Sequence, residues 1–396
     1  YPQRAIATYS NLSFFIASPE LYQLFSKEDF TQLARMAQVK QGLITADNHH
    51  YLRKREGVRG SYEILDERKL LRETEIANLS QDEKRNGVDP NEYQGRHFLP
   101  YDKGGESNAG DGWLPNYYVP TGYFIDWSRS SVHRLETHTS ENQDGRIAAR
   151  FQNREYYFRE GITFSPTGVY SPTFRLGCSA IFGNKGSTIF SNEKPATLLL
   201  AILASILSRY QLKNYLSHTV ETGEEVLLNL MLPKMSQEDE NQLETLVQSI
   251  IDSQKLDPQY SYYRHEQREI DSLIFRLYAL TPDQIREVEM WFCRRYPRPA
   301  EAQGFTAEVK EKYADHLARC ERILSKPPEY WHSNPILTLI AQGESSQLEF
   351  KETLEANNGT GEKHPGVLLS NLKTIAAFLN TDGGTLLIGV SDSGEI

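Results

Sequence analysis

"SQLEFKE" (346–352), "VLLSNLKTIAAFLNT" (367–381) and "GGTLLIGV" (383–390) decide how the last part of this chain folds. The first alternates polar and apolar side chains and reads as a strand. The second carries apolar residues at 368, 372, 375, 376 and 379, the spacing of one helix face. The third, after a glycine turn, reads as a buried strand, so residues from about 336 to 396 form a βαβ-like unit. In "GESSQLEFKETLE" (343–355), Glu344 and Glu349 stand five residues apart and Lys351 follows. Such acids can grip a metal, or they can simply edge a charged strand. Five residues put them on opposite faces of a strand and about 140° apart on a helix. They converge only where the chain bends near Ser345–Ser346. Glu349 and Lys351, two apart, share a strand face opposite Leu348 and Phe350.

The 396 residues have room for roughly two or three domains. Hydrophobic content of 39% and charged content of 24% belong to a globular chain rather than a fibrous or disordered one. No apolar run reaches about 18 residues, so no membrane span is expected. The longest apolar stretch, "ATLLLAILASIL" (196–207), reads as a buried helix. Cys178, Cys293 and Cys320 lie far apart with no CxxC pair or Cys/His cluster. That argues against a disulfide framework or structural zinc and fits a reducing cytoplasm. The chain opens on Tyr1 rather than Met, without a signal leader, and the expectation is an excerpt of a longer cytoplasmic protein. A net charge of −10 excludes a uniformly basic coat but not a local basic patch. Two stretches supply such patches. "HHYLRKREGVRG" (49–60) holds Arg53, Lys54, Arg55 and Arg59, and residues 129–159 hold Arg129, Arg134, Arg146, Arg150, Arg154 and Arg159.

Four segments follow from the texture of the chain. Residues 1–35 lead in, with a helix expected at "SKEDFTQLARMA" (26–37) capped by Ser26. Residues 36–296 begin as an irregular β-rich region of short aromatic strands and long polar connections. They continue as one long helix over 195–218, a buried strand in "VLLNLMLP" (226–233) and three amphipathic helices. The last of these starts with Thr281 as N-cap and Pro282 in its first turn. Residues 297–335 form a proline-punctuated linker around one polar helix, and 336–396 form the βαβ-like unit. The fold class expected is α+β: an irregular β-rich region with packed helices, plus a small C-terminal α/β unit.

Much of 39–296 resembles the specificity half of adenine-N6 DNA methyltransferases of the restriction and phage-exclusion (PglX-like) type. "VKQGLITADNHHYLR" resembles the family's entry pattern G-x-x-T-x-x-N-x-x-F-x-R, and "KGG" (103–105), Trp113, Asp126 and Trp127 follow in order. "NREYYFREGITF" (153–164), Arg175 with Gly177, the long apolar helix, "MLP" and the helix at 271–280 continue the succession. The resemblance implies a DNA reader. Its candidate contacts are Lys40, Thr45, Asn48, Arg53, Lys54, Arg55, Lys103, Arg154 and Arg175, on double-stranded DNA. Lys103 beside two glycines offers an ammonium and close-approaching amides to a phosphate. Alternatively "KGG" is a tight turn, and Trp113, Trp127 and Tyr157 are core. The family's N-P-P-Y loop and its S-adenosylmethionine loop are missing here. Methyl transfer and that cofactor are therefore expected only from a domain N-terminal to Tyr1.

The tail resembles the Schlafen/AlbA-type domain, on "ESSQLEFK", "AAFLNTDGG" and "TLLIGVSDSG". In nuclease members an acidic triad holds metal, and by this resemblance it falls on Glu344, Glu349 and Asp392, with Lys351 to neutralise a phosphate. The implied cofactor is Mg or Mn, and RNA is a second candidate ligand beside other defence-system subunits. Two function classes stand side by side, with a pure interaction scaffold without catalysis as a third. One is the DNA-recognition module of an adenine-N6 methyltransferase-like phage-defence or restriction-modification protein. The other is a metal-dependent nuclease effector using the acidic triad.

Overall fold

The computed structural model describes residues 19–25, 29–104, 115–140, 149–166, 171–217, 222–302, 304–325, 335–356 and 362–396. It is an α+β protein with several small sheets. The chain divides into two compact units, Phe15–Val309 and one that holds Lys310–Ile396.

In the larger unit, a first helix α1 (Pro19–Phe25) precedes strands β1 (Phe30–Gln32) and β2 (Ala37–Lys40). The helix expected over 26–37 does not form: 26–28 lie outside the described residues, and 30–32 and 37–40 are extended. The reason is non-local, since β1 pairs with β10 (Met231–Pro233) and β2 with β9 (Thr188–Ser191). A short helix α2 (Asn48–Tyr51) leads into β3 (Leu52–Lys54). Two helical turns, α3 (Glu73–Asn78) and α4 (Gln81–Asn86), precede β4 (Phe98–Gly104) and β5 (Tyr123–Asp126), and α5 spans Arg129–Ser140. Then come β6 (Ile162–Phe164), β7 (Phe174–Leu176) and β8 (Ile181–Lys185). The strands make two four-stranded sheets, β3-β5-β4-β8 and β2-β9-β6-β7.

One face of the first sheet (Leu52, Leu99, Tyr101, Tyr123, Ile125) packs under α5 residues Val132 and Leu135 into the main core. Trp127 is fully buried there, with its Nε1 donating to the Glu83 carbonyl at 3.1 Å and its ring edge-on to Phe151, Tyr157 and Phe158. Tyr157 is core as well, whereas Trp113 lies outside the described residues. Gly104 is dictated by backbone proximity. Its φ is +73°, and an added Cβ would stand 1.8 Å from the Lys185 carbonyl oxygen, where β4 slips register against β8.

The long helix expected over 195–218 is broken. α6 (Ala196–Ala204) and α7 (Ile206–Gln211) meet at Ser205, whose backbone is extended at φ −65°, ψ 154°. Ser205 Oγ accepts from the Ser208 amide, and the buried Asp271 carboxylate accepts from the Ile206 amide at 2.8 Å. The Ser205 cap and the Asp271 carboxylate satisfy two of the amides that the break frees. No single helix among the described residues is long and apolar enough to cross a membrane. α6 with the segment Ile206–Leu216 has a suitable composition, but the pair bends by 61° and Leu198–Leu203 are fully buried. The strand expected at 226–233 is half helix: α8 spans Glu224–Leu228, and only β10 is extended.

Helices α9 (Gln237–Leu256), α10 (Glu266–Leu277) and α11 (Pro282–Arg295) follow, each starting as its sequence predicts or within a few residues. At α11, Thr281 Oγ1 accepts from the Gln284 amide while Gln284 Oε1 accepts from the Thr281 amide. The stretch read as a linker is largely helical: α12 (Pro297–Ala302), α13 (Phe305–Lys312) and α14 (Ala314–Leu324).

In the second unit, α15 (Pro335–Gln342) precedes β11 (Leu348–Lys351), α16 (Pro365–Leu379) and β12 (Thr385–Ile388). β11 and β12 pair in parallel, Leu348 with Thr385 and Lys351 with Ile388. The elements match the sequence pattern, but their burial does not. The core here is Leu348, Phe350 and Val390, flanked by Leu339, Ile340 and Leu387. Leu368, Leu369, Leu372 and Leu379 of α16 and Ile388 of β12 are exposed. β12 is therefore not the buried strand that its composition suggests.

Candidate nucleic-acid interface and the C-terminal acids

The basic residues of the larger unit fall into two groups according to what their charges meet. Arg53, Lys54, Arg154 and Arg175 spend their donors on groups of the fold. Arg53 ion-pairs with Glu63 at 3.0 Å, and its Nη1 donates to the carbonyls of His49, His50 and Leu52. It thereby holds the carbonyl end of α2. Lys54 Nζ donates to the carbonyls of Val58 and Gly60, both at 2.8 Å, and closes the 55–60 loop. Arg154 pairs with Glu136 at 2.7 Å, donates to the Arg85 carbonyl and lies 4.1 Å from the Phe151 ring centre. Arg175 is buried in β7, with Nη1 donating to Thr173 Oγ1. Thr45 is buried too, and its hydroxyl donates to Asn48 Oδ1 at 2.5 Å, which orients the exposed Asn48 at the head of α2.

The other group sits on aromatic rings and makes no ion pair with a carboxylate among the described residues. Lys103 Nζ lies 5.1 Å from the Tyr123 ring centre and 5.6 Å from that of Tyr62. Tyr62 in turn meets His49 and Tyr123 at 5.2 and 5.8 Å, and Tyr123 Oη donates to the Arg59 carbonyl at 2.8 Å. This links the head of α2, the 55–62 loop and the end of β4 into one surface, with the exposed Arg59 side chain on the loop. Arg55 is exposed over Phe124 at 5.6 Å, with Nε donating to the Thr121 carbonyl. Lys40, at the end of β2, lies 5.2 Å from the Tyr156 ring centre. Arg159, absent from the sequence-derived contacts, lies 5.0 Å from the same centre. It belongs to the basic stretch 129–159, but no motif singled it out. The spacing of Arg159 from Tyr156, i to i+3 in "YYFR", was the available signal.

Asp102 precedes Lys103. Its Oδ2 accepts from the Cys178 amide at 2.8 Å, and burial pushes its carboxyl up from the usual range, with Arg175 pulling the other way. Burial also raises the Cys178 thiol well above its ordinary value. Among the buried acids, Asp271 is pushed up to about 7 by burial, against hydrogen bonds from the Ile206 amide and Gln267.

At the C-terminal acids the chain does bend: Ser345 and Leu348 exchange both backbone hydrogen bonds across a tight turn. The bend returns Glu344 to β11, where its Oε1 accepts from the Phe350 amide at 2.8 Å. Glu349 ion-pairs with Lys351 at 2.5 Å, as two residues on one strand face should. Asp392 is exposed in the turn after β12, which the Ser391 and Gly394 amides close. Among the described residues, no group of three or more His, Cys, Asp or Glu could hold a metal ion. Glu344 and Glu349 each have a partner within the fold, and with Asp392 they do not form such a group.

Residues 344–396 match the Schlafen, AlbA_2 family. Two solved structures are similar to the chain. The type IIL restriction-modification enzyme MmeI in complex with DNA has a TM-score of 0.38 at 11% identity, over 65% of this chain and 35% of that one. The type IIG restriction endonuclease BpuSI has a TM-score of 0.32 at 11% identity, over 74% of this chain and 33% of that one. The chain thus spans about a third of the length of either. No curated protein matches it.

Proposed function

We propose that residues 36–296 are the double-stranded DNA recognition module of an adenine-N6 DNA methyltransferase-like restriction-modification or phage-defence protein. The Schlafen/AlbA_2-like unit would be a second nucleic-acid-binding module. One observation carries the reading. Lys40, Arg55, Lys103 and Arg159 sit on aromatic rings with no carboxylate partner among the described residues, inside the succession of motifs that resembles a DNA-specificity half. Cations held in this way keep their charge for an external polyanion. The exposed Asn48, at the head of α2, can present an amide to a base edge. S-adenosylmethionine and the methyl-transfer step would belong to residues outside this chain. The metal-dependent nuclease reading draws no support from the paired Glu344 and Glu349.

The test is fluorescence anisotropy of the whole chain with labelled duplexes, followed by selection from a randomised duplex pool. The expected result is salt-dependent binding with one sequence preferred over others. Absence of duplex binding at low salt would refute the reading. Preference for single-stranded RNA would move the function to the C-terminal unit. Cleavage that needs Mg or Mn and disappears in Glu349→Ala and Asp392→Ala would reinstate the nuclease.

A further inference from the structure

Tyr156 carries two cations on one ring. Lys40 Nζ lies 5.2 Å and Arg159 Cζ 5.0 Å from its centre, so the two charges are no more than about 10 Å apart. Arg159 also reaches the Phe190 ring at 5.9 Å. Neither cation makes an ion pair among the described residues, although Glu155 and Glu160 flank Arg159 along the chain.

The seat beneath them is fixed. Gln38 and Lys40 point to the same side of β2, whose other side, Ala37 and Val39, is buried. Tyr156 Oη donates to Gln38 Oε1 at 2.7 Å, and the ring packs on Phe190 at 4.9 Å. Asn153, with φ at +47°, donates from Nδ2 to the Gln41 carbonyl at 2.8 Å, and its own carbonyl accepts the Tyr156 amide at 3.0 Å. The polar groups that position the ring are satisfied within the fold, while the two charges against it have no ion-pair partner among the described residues. A ring face attracts a cation through its quadrupole but supplies no net counter-charge. The missing component is an anion, and a planar guanidinium beside an ammonium suits phosphate oxygens.

We propose that Lys40, Tyr156 and Arg159 form a clamp for backbone phosphates of duplex DNA. The clamp rests on the DNA-recognition reading above and adds to it a sequence-independent anchor, separate in its contacts from the Lys103 seat. It fixes where the backbone lies and carries no base preference.

Equilibrium binding of the whole chain to several labelled duplexes of different sequence, each across a KCl series, tests it. Four proteins are compared: wild type, Lys40→Gln/Arg159→Gln, the charge-conserving Lys40→Arg/Arg159→Lys, and Arg68→Gln as a control cation that is exposed and paired with Asp66. The neutral double variant is expected to lose affinity equally on every duplex. Its log–log salt slope should be shallower by about two units, about 0.9 for each phosphate that is no longer neutralised. The charge-conserving variant and Arg68→Gln should keep the wild-type slope. A neutral variant that is folded by circular dichroism and retains the wild-type slope overturns the clamp and leaves the DNA reading standing. A loss confined to some sequences overturns it in favour of base recognition. A loss as large in Lys40→Arg/Arg159→Lys overturns it in favour of a purely structural role. A wild type that binds no duplex at low salt overturns both readings.

Discussion

Gly104→Ala separates two explanations of the "KGG" stretch. If its glycines exist so that DNA phosphates can approach the backbone, alanine should spare the fold and reduce binding. The structure argues the reverse for Gly104. At φ +73° a residue with a Cβ costs about 1–2 kcal/mol. The new methyl would also stand 1.8 Å from the Lys185 oxygen, 1.9 Å from its carbon and 2.2 Å from the Gly186 nitrogen. These are backbone atoms of the adjoining strand and turn, which cannot rotate aside as a side chain does. Overpacking of that kind adds about 1–3 kcal/mol. The total is about 2–5 kcal/mol. At about 2–4 °C per kcal/mol for a unit of this size, the melting temperature should fall by about 10 °C. Gly95→Ala isolates the first part, because Gly95 has φ +88° with nothing within 4 Å of an added Cβ, and it should lose only a few degrees. Differential scanning calorimetry of the three proteins, with duplex binding measured well below each transition, is the assay. A Gly104→Ala protein that melts with wild type but binds DNA poorly would refute the packing argument and restore the phosphate reading.

Three further outcomes follow from the same structure. Trp127→Phe removes the Nε1 hydrogen bond to the Glu83 carbonyl and leaves part of a fully buried site unfilled; urea unfolding should register a drop in stability of about 2 kcal/mol. Asp271, pushed up to about 7 when folded against an ordinary value of 3.8, binds its proton more tightly folded than unfolded. Its stabilisation is therefore full below about pH 4 and is lost as pH rises through about 7, so wild type should melt lower at about pH 8 than at about pH 5. Asp271→Asn should reduce that difference, and an unchanged difference would count against the assignment. Glu344→Gln keeps an oxygen that can accept the Phe350 amide, whereas Glu344→Leu does not; amide exchange at Phe350 should accelerate in the second variant only.

What the sequence conveyed was mostly local. Thr281 and Gln284 lie three residues apart, so their reciprocal caps follow from spacing alone. The alternation in 348–351 likewise gave both the strand and the shared face of Glu349 and Lys351. Where sequence and structure differ, a distant partner decides. Residues 30–32 are extended because their ladder partners are residues 231–233, and the chain leaves the helix at Ser205 where Asp271, 65 positions beyond Ile206, caps the Ile206 amide. The pattern of α16 specified a helix, but an apolar stripe does not say what covers it, and its leucines stand exposed. The candidate site divides in the same way. That a cation belongs to a basic stretch is legible from the sequence. That Arg154 is held by Glu136 and the Arg85 carbonyl while Arg159 meets only rings is a matter of tertiary neighbours.

That division bears directly on how the chain would hold DNA. For Arg53 to reach a phosphate it must leave Glu63 and release three carbonyls at the end of α2, exchanging one anion for another at a cost to its own scaffold. Its net contribution to affinity would then be small, as for any ion pair that is merely swapped. Lys40, Lys103 and Arg159 have no carboxylate to abandon among the described residues. Each is already ordered on a ring, so less side-chain freedom is lost on binding, and each new phosphate interaction adds to the total. On the proposed reading, a net charge of −10 does not prevent a grip on a polyanion, because the cations that matter would be those that no acid among the described residues neutralises.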